Sequence, residues 1–569
     1  MTIGQNACFF SACAALQHAF CDAKTGAALI PLGAPHRGRQ NVVMSRDFSF
    51  PGRSCVFAEK AMVATSSPQA SLAALDVLRA GGNAIDAAVT ASAVLCITEP
   101  HMTGIGGDCF ALLTTPDGKV LGLNGAGRSA AAATPDWLAG SGLTAIDPHS
   151  AHAVTVPGAI DAWNELLRAH GTRSLGDCLA PAIALAEKGV ATMPRVARDW
   201  PEHVEMLSLD PGGQQHYLHN GTAPRLGDVM AYPALAETLK RIAKGGRDAF
   251  YSGAIAEDMV ATLQQRGSLL TCEDFAATHC DWVKPVATSF AGPKIYEIPP
   301  SGQGLTVLIA LNILDCFGLK QLDPLGPQRR HLEIEALKRA WVLRNRHIAD
   351  PEHASVPVEE LLSAATARRL AATIDQRRAS NMKVTLPPSD TVYLSVVDEK
   401  RRCVSFINSI YWGFGSGIVT EKTGITLQNR GAGFSCDPSH PNVIAPSKRP
   451  LHTIIPAMAT RNGKADMVFG VMGGDFQPMG HINMVMNRYV YGMDPQTALD
   501  LPRCVPSGET VEAEASMPTS LVNDLKAMGH VMVPSVEPLG GGQIIALDHR
   551  RGLLIGGSDP RKDGCALGY

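Results

Sequence analysis

The chain of 569 residues lacks the charge imbalance that marks many binding proteins. Its 50 Lys and Arg residues stand against 53 Asp and Glu residues, which leaves a formal charge of −3. So small an imbalance provides no positive field to attract nucleic acid or anionic lipid. Charged residues make up 18% and hydrophobic residues 45%, a globular composition that excludes wholesale disorder. We therefore expect a folded protein with no nucleic-acid partner and no membrane partner.

Cysteine is also scarce for a disulfide scaffold, with 14 in the whole chain. No two cysteines have the C-x-x-C spacing that zinc fingers and thioredoxin-like motifs require, and no HxxxH or HExxH pattern occurs. We predict no metal and no cofactor. The cysteines are interpreted as free thiols of a protein in a reducing compartment.

Long hydrophobic runs are missing too. The longest helical apolar stretch, Ala84 to Cys96, is interrupted by Asp86 and is too short to span a bilayer. An apolar patch lies at Ala7 to Leu16, but no Lys or Arg precedes Lys24, which argues against a secretory signal peptide. We expect residues 1–54 to be a poorly specified leader, no transmembrane helix, and a cytoplasmic location, with the periplasm as the alternative.

What the chain does contain is a mixed pattern without a fixed repeat. Helical periods and glycine breaks dominate up to about residue 389, and short alternating β-branched runs follow, which indicates an α+β protein. The first two helices are predicted at Ser71 to Ala80 and directly after Asn83, a typical N-cap residue. Further helices are predicted at Pro157–His170, Leu179–Lys188, Tyr232–Lys244, Ile255–Arg266, Gly304–Cys316 and Arg329–His347, and strands at Cys109–Thr114, Val392–Val397, Cys403–Ile410, Gly424–Gln428, Met467–Val471 and Gln543–Leu547.

The two strands at Val392–Val397 and Cys403–Ile410 flank a short charged turn. A hairpin turning near Lys400 would place Ser409 opposite Thr391, with two hydroxyl groups a cross-strand distance apart. Taken alone, this pair is weak evidence for a site, because hydroxyl and β-branched residues suit strands for structural reasons.

A series of short motifs along the chain indicates a function for Thr391 and Ser409. Each motif is weak alone, but in this order they resemble the γ-glutamyltransferase family of N-terminal-nucleophile hydrolases over about residues 55–569. The resemblance implies an α+β fold, a four-layer αββα sandwich in one structural domain, with Thr391 at the end of a central strand. The motifs are Gly81–Ala88, Glu99–Gly107, Val156–Gly158, Ala180–Ile183, Thr391–Asp398, Phe414–Gly417, Met472–Gly474 and Ser558–Arg561.

The resemblance also implies self-cleavage between Asp390 and Thr391. Residues 55–390 would form a large subunit and residues 391–569 a small one, held together as a heterodimer, with a higher oligomer left open. A Thr hydroxyl needs a base, and a freed α-amine with a pKa of about 7.7 to 8.0 is suited to neutral pH. By resemblance, Thr391 then attacks a substrate amide, and the acyl ester is released to water or to an acceptor amine.

Four further residues receive roles from the same resemblance. Ser409 would hold the Thr391 amine, and Gly473 and Gly474 would offer main-chain N–H groups to the oxyanion. Arg128 would grip a substrate carboxylate with its bidentate fork. From the residues alone, the glycine pair would be interpreted as a plain turn and Arg128 as a surface charge.

The sequence departs from the family pattern where the substrate would bind. The family has an Asn, a Gln, an Asp and two Ser at positions that here hold Tyr411, Arg430, Gly433, His452 and Thr453. The missing acid at Gly433 removes a partner for a substrate ammonium, worth about 1.5 to 3 kcal/mol, and Arg430 adds positive charge. We predict that Tyr411, Arg430, His452 and Thr453 contact a small amide substrate with a carboxylate and no ammonium, such as oxamate or a glutaryl amide. Such substrates belong to branches resembling oxamate amidohydrolase and glutaryl-cephalosporin acylase.

Two other functions remain open. One is a γ-glutamyl transferase or glutathione hydrolase proper, and the other is a non-catalytic binding protein on the same fold. Retention of Thr391, Ser409 and the pair Gly473-Gly474 favours an enzyme, since a binding protein needs no nucleophile and no oxyanion site. The glycine-rich segments Thr103–Gly107 and Leu539–Gly542 lack the following helix or Lys of a phosphate-binding loop.

Overall fold

The computed structural model describes residues 52–383 and 390–569, and of Asp390 it describes the backbone alone. The predicted leader lies outside the described residues except for its last three. Strands are β1 Val56–Ala58, β2 Met62–Thr65, β3 Asp108–Thr114, β4 Val120–Gly125, β5 Val190–Ala191, β6 Val229–Met230, β7 Asp281–Val283, β8 Val286–Ser289, β9 Lys294–Glu297, β10 Asp390–Val397, β11 Cys403–Tyr411, β12 Ala457–Arg461, β13 Lys464–Met472, β14 Cys504–Ser507, β15 Thr510–Ala513, β16 Met532–Pro534, β17 Gly541–Asp548, β18 Leu553–Ser558 and β19 Cys565–Gly568.

The helices include all those predicted from periodicity, with ends shifted by a few residues. Helices are α1 Pro68–Arg79, α2 Ala84–Thr98, α3 Pro135–Ser141, α4 Ala159–His170, α5 Leu175–Lys188, α6 Pro194–Asp199, α7 Val204–Ser208, α8 Pro211–Tyr217, α9 Pro233–Tyr251, α10 Ala254–Gln264, α11 Cys272–Ala277, α12 Gly304–Leu314, α13 Pro327–His347, α14 Val358–Leu361, α15 Ala364–Ala371, α16 Gln477–Val485, α17 Pro495–Asp500 and α18 Thr519–Ala527.

Two seven-stranded antiparallel sheets stack face to face. Sheet I has the order β19-β2-β10-β11-β3-β4-β7, and sheet II has the order β1-β18-β17-β13-β12-β9-β8. Strands β10 and β11 of sheet I pack on β13 of sheet II. Helices α1, α2 and α4 contact sheet I, while α12, α16 and α17 contact sheet II. The predicted four-layer αββα sandwich is confirmed.

The period-two pattern of β10 decides which way each of its side chains points. Val392, Leu394 and Val396 join the core that contains helices α1 and α2. Tyr393 and Val397 join a second core that contains the residues of sheet II. The odd-numbered side chains of this strand therefore face the space between the two sheets.

The cap predicted for the second helix is confirmed. The side chain of Asn83 accepts hydrogen bonds from the main-chain N–H groups of Ile85 and Asp86, and Asp86 accepts one from Asn83 in return. Asp86 also accepts a hydrogen bond from the N–H of Thr172 at 2.8 Å. This aspartate therefore stabilises the start of helix α2.

The strand predicted at Gly424–Gln428 is wrong. The N–H of Ser416 donates to the carbonyl of Leu427, and the N–H of Leu427 donates to the carbonyl of Ile418. The segment therefore satisfies its main-chain groups mainly within its own loop and has few left to pair with a sheet.

The described residues can be checked for disulfides, membrane-spanning helices and metal sites. The eleven cysteines found there are all free thiols. Within residues 52–383 and 390–569, no helix combines the length and the apolar character that crossing a membrane demands. Over the same ranges, no three His, Cys, Asp or Glu side chains cluster in a way that could hold a metal ion.

Candidate active site

Thr391 and Ser409 lie side by side on neighbouring strands. The Oγ1 of Thr391 donates to the Oγ of Ser409 at 3.2 Å, and both side chains are fully buried. The register that pairs Val392 with Asn408 brings them together, with an irregularity between Asp390 and Val392. The predicted placement of Ser409 opposite Thr391 is confirmed, while the catalytic roles of both residues stay predictions.

The Ser409 hydroxyl is held from two further directions. Its Oγ accepts from the main-chain N–H of Tyr411 at 2.9 Å and from Nη2 of Arg430 at 3.4 Å. Tyr411 ends the strand with a φ of 82°, in the left-handed region that non-glycine residues rarely adopt. Its ring centroid lies 3.9 Å from the Arg430 guanidinium carbon, and burial raises the pKa of Tyr411 to about 12. Tyr411 and Arg430 together fix the hydroxyl that contacts Thr391.

Arg430 is fully buried and carries its charge beside this pair. Its Nη1 donates to Oγ1 of Thr453 at 2.8 Å, and its Nε has no hydrogen-bond partner among the described residues. Burial lowers the pKa of Arg430 to about 10, which leaves the guanidinium protonated at neutral pH. The structure therefore brings Thr391, Ser409, Tyr411, Arg430 and Thr453 into one connected cluster.

His452, the neighbour of Thr453 in the chain, forms a hydrogen bond with a buried acid. Its Nε2 lies 3.0 Å from Oδ2 of Asp108, and both side chains are fully buried. Burial, together with the charge of Arg430, lowers the pKa of His452 to about 4, so a neutral imidazole donates to the aspartate at neutral pH. Asp108 also accepts from the N–H groups of Gly127 and Gly158. His452 therefore holds a buried acid in place, and its predicted contact with the substrate stays a prediction.

Gly473 and Gly474 form the turn after β13. Their φ values of 109° and 49° lie in the left-handed region, and a Cβ on Gly473 would lie 2.9 Å from the Cα of Gly540. Glycine is required at Gly473 for both reasons. The side chain of Gln303 donates to the carbonyls of Gly474 and Thr453, which connects the turn to the cluster around Arg430. The oxyanion role of the two glycines stays a prediction.

Arg128 lies in a different environment. Its guanidinium forms a bidentate pair with Glu352, at 2.8 and 3.1 Å. Asp281 and Asp350 lie 3.7 and 3.8 Å away. Three carboxylates therefore surround the residue predicted to hold a substrate carboxylate, and no hydrogen bond among the described residues joins Arg128 to Thr391 or its neighbours.

Several residues around the cluster escaped the sequence analysis. Asp108 was detectable, because it is a charged residue at the start of an otherwise apolar strand. Asp475 directly follows the glycine pair, and it forms a buried ion pair with Arg344. Neither Arg344 nor Gln303 shows a local pattern, since each acts through a partner that is distant in sequence.

An open cavity of about 520 Å³ reaches the glycine turn from outside. Gly473, Asp475 and Trp412 contribute to its walls. Its volume lies in the range of small-molecule sites, which are typically about 300 to 1,000 Å³.

Comparison with known proteins agrees with this geometry. The family profile Gamma-glutamyltranspeptidase matches residues 70–569. The chain is 37% identical over 525 residues to the Glutathione hydrolase-like YwrD proenzyme of Bacillus subtilis, covering 90% of this chain and 99% of the relative. It is 36% identical over 516 residues to the Oxamate amidohydrolase proenzyme of Klebsiella pneumoniae, covering 88% and 97%.

A solved structure shows the same likeness in three dimensions. The cephalosporin acylase from Bacillus halodurans superposes with a TM-score of 0.86 at 38% identity, covering 95% of this chain and 99% of that chain. Sequence, fold and the placement of Thr391 agree with the resemblance seen in the motifs. The chain belongs to the gamma-glutamyltranspeptidase family of N-terminal-nucleophile enzymes.

Proposed function

We propose that this protein is a self-processing amidohydrolase or acyltransferase that acts on a small amide whose acyl group carries a carboxylate. The peptide bond between Asp390 and Thr391 is hydrolysed with one water, which leaves a carboxylate on Asp390 and a free amine on Thr391, and Thr391 becomes the nucleophile. The observation that carries the proposal is the contact of 3.2 Å between Oγ1 of Thr391 and Oγ of Ser409 at the start of β10. The two relatives described above are themselves named as proenzymes.

In the proposed reaction, the freed amine of Thr391 takes the proton from Oγ1 as this oxygen adds to the amide carbon. The N–H groups of Gly473 and Gly474 stabilise the oxyanion of the tetrahedral intermediate. The ammonium returns the proton to the leaving nitrogen, the C–N bond breaks, and an ester to Thr391 remains. Water then attacks the ester, the ester C–O bond breaks, and the acid departs as Oγ1 regains its proton. An amine in place of water gives acyl transfer.

The substrate assignment rests on the turn that contains Arg430 and Gly433. No acid stands at Gly433 to pair with an ammonium, whereas Arg430 supplies positive charge. The name of the oxamate amidohydrolase relative supports a substrate with a carboxylate and no ammonium. The name of the glutathione hydrolase-like relative favours the second candidate, a γ-glutamyl substrate.

Denaturing gel electrophoresis of the purified protein tests the processing. We expect fragments of 390 and 179 residues, with Thr391 as the first residue of the smaller one by N-terminal sequencing. Active protein with this bond intact would overturn the mechanism. For the substrate, we expect glutaryl-anilide to be cleaved faster than γ-glutamyl-anilide, and the reverse order would establish the second candidate.

A cytoplasmic location is part of the proposal. The free thiols among the described residues support a reducing compartment. Recovery of the protein from a periplasmic fraction would overturn this assignment.

A further inference from the structure

In the part of the chain that the structure describes, buried arginines are paired with acids, with one exception. Seven arginines of the described residues are buried, and six of them have a carboxylate within ion-pair distance. Arg430 is the exception within residues 52–383 and 390–569. The paired ones are Arg329 and Arg330 with Glu333, Arg339 with Glu335, Arg344 with Asp475, Arg449 with Asp281, and Arg503 with Asp559.

Among the described residues, the groups in direct contact with the Arg430 guanidinium are neutral. Two hydroxyls and the face of the Tyr411 ring contact the guanidinium. Asp108 and Asp475 act on the Arg430 charge only from a distance, because neither lies within ion-pair reach of the guanidinium. Asp108 is hydrogen-bonded to His452, and Asp475 pairs with Arg344. A buried charge without a counterion is strongly unfavourable. The arrangement is therefore that of a cation whose anion comes from a ligand.

The position of Arg430 limits how far that anion can be from the reacting bond. Its Nη2 lies 3.4 Å from Oγ of Ser409, which lies 3.2 Å from Oγ1 of Thr391, so the two ends are less than about 7 Å apart. A carboxylate oxygen lies about 2.8 Å from a guanidinium nitrogen. The attacked carbon lies about 3 to 3.5 Å from the nucleophile. These two contacts together take up nearly the whole separation. Every acyl group must therefore bend away from the direct path, and the groups with the fewest atoms between carboxylate and carbonyl bend least.

We propose that Arg430, and not Arg128, binds the substrate carboxylate, and that the site accepts acyl groups whose carboxylate is joined to the scissile carbonyl directly or through one carbon. These are the oxalyl and malonyl amides. The inference rests on the proposed function, because the distance is measured from Thr391 as the nucleophile. Arg128 is unsuited to this role, since a substrate would have to displace the bidentate Glu352.

Chain length tests the proposal on the wild-type enzyme. The processed protein is assayed with the anilides of oxalic, malonic, succinic and glutaric acids at constant ionic strength. We expect kcat/KM for the oxalyl or malonyl anilide to exceed that for the glutaryl anilide by about 10- to 100-fold, the value of one charged hydrogen-bonded contact. Equal or faster cleavage of the glutaryl anilide overturns the proposal.

A matched pair of variants tests the residue. Arg430→Gln introduces the residue that the family pattern has at this position, and Arg128→Gln makes the same change at the other arginine. We expect Arg430→Gln to lower kcat/KM for the oxalyl anilide by about 10- to 100-fold, mainly through KM, Arg430→Lys to restore part of it, and Arg128→Gln to change it less than about threefold. The opposite order overturns the assignment. Gels confirm that each variant is processed, and if Arg430→Gln stays uncut, the chain-length series decides.

Binding without turnover separates this inference from the proposed function. The melting temperature of the processed wild type is measured with oxalate, malonate or glutarate. Stabilisation by oxalate or malonate that Arg430→Gln abolishes supports the carboxylate site, even if no anilide is cleaved and the proposed function fails. Cleavage of the anilides without any such stabilisation, or with stabilisation unchanged in Arg430→Gln, leaves the function intact and overturns the role of Arg430.

Discussion

Helix α13 and the surroundings of Thr391 both bury arginines, but they treat the charge differently. On the helix, Arg329 and Arg330 share Glu333 at 2.8 and 2.9 Å. Beside Thr391, Arg430 contacts only hydroxyls and an aromatic ring among the described residues. The helix thus uses its charges to hold the fold together, while the site keeps a charge that no acid of the described chain neutralises. Buried arginines therefore stabilise the fold on the helix, where they are paired, and remain available to a ligand beside Thr391, where one is not.

The largest effect that separates the two regions is expected at Thr391. Thr391→Ala should remain a single chain of 569 residues on a denaturing gel, and its amidase activity should fall at least about 10⁴-fold, because no nucleophile remains. Its free energy of unfolding should change little. Thr391→Ser is the matched control, since it keeps a hydroxyl and should still be cut. Normal turnover by Thr391→Ala would contradict the role of this residue.

The contrast in stability is tested at Glu333. Glu333→Gln leaves two buried guanidinium groups without their acid, so denaturant unfolding should show a loss of about 3 to 5 kcal/mol. Arg430→Gln should cost less than about 1 kcal/mol, because it removes a charge that is unpaired. Glu237→Gln, in an exposed pair with Arg241, is the surface control and should cost about 0 to 0.5 kcal/mol. Equal decreases in the free energy of unfolding for Glu333→Gln and Arg430→Gln would show that the two regions do not differ in how their buried arginines affect stability.

A smaller effect is expected at Ser409. Ser409→Ala removes the acceptor for the Tyr411 N–H and the partner of Thr391. We expect kcat to fall about 10- to 100-fold, because Ser409 no longer holds the Thr391 amine as this amine gains the proton and becomes charged, with a smaller change in KM. Ser409→Thr should restore most of kcat, because the hydroxyl is kept. A change confined to KM would show that Ser409 binds substrate instead of positioning Thr391.

Lowering the pH should lower the free energy of unfolding in both regions, because each contains a histidine whose pKa is lower in the folded protein than in the unfolded chain. The pKa of His452 falls from its ordinary 6.5 to about 4 through burial and the charge of Arg430, and the pKa of His530 near α13 also falls to about 4 through burial and His331. Each neutral histidine stabilises the fold fully above pH 6.5, and this contribution is lost as the pH falls toward 4. For fully buried His452 it is on the order of 3 kcal/mol.

Urea unfolding between pH 4 and 7 measures this loss. His452→Gln should flatten the pH dependence at the site, and His530→Gln should flatten it near α13. An unchanged slope in His452→Gln would show that His452 does not titrate with folding.

The sequence could predict the features that depend on residues close together in the chain. The hairpin of β10 and β11 and the contact of Thr391 with Ser409 follow from alternation and a short turn. The pairs Arg128 with Glu352 and His452 with Asp108 join residues 224 and 344 positions apart, so no local pattern contains them. The motifs could therefore mark Arg128 and His452 as residues of interest, but the acids that occupy them emerge only in the folded chain.

The strand order of the two sheets has a consequence for the proposed cut. Strands β10 and β11 of the small product lie between β2 and β3 of the large one, and β19 pairs with β2 on its other side. Sheet II likewise joins β1 to β18 and β9 to β12. Neither product can leave without tearing both sheets, so two preparations mixed under native conditions should form no hybrid molecules. A copy that fails to cut itself therefore cannot obtain a finished subunit from an active neighbour by exchange.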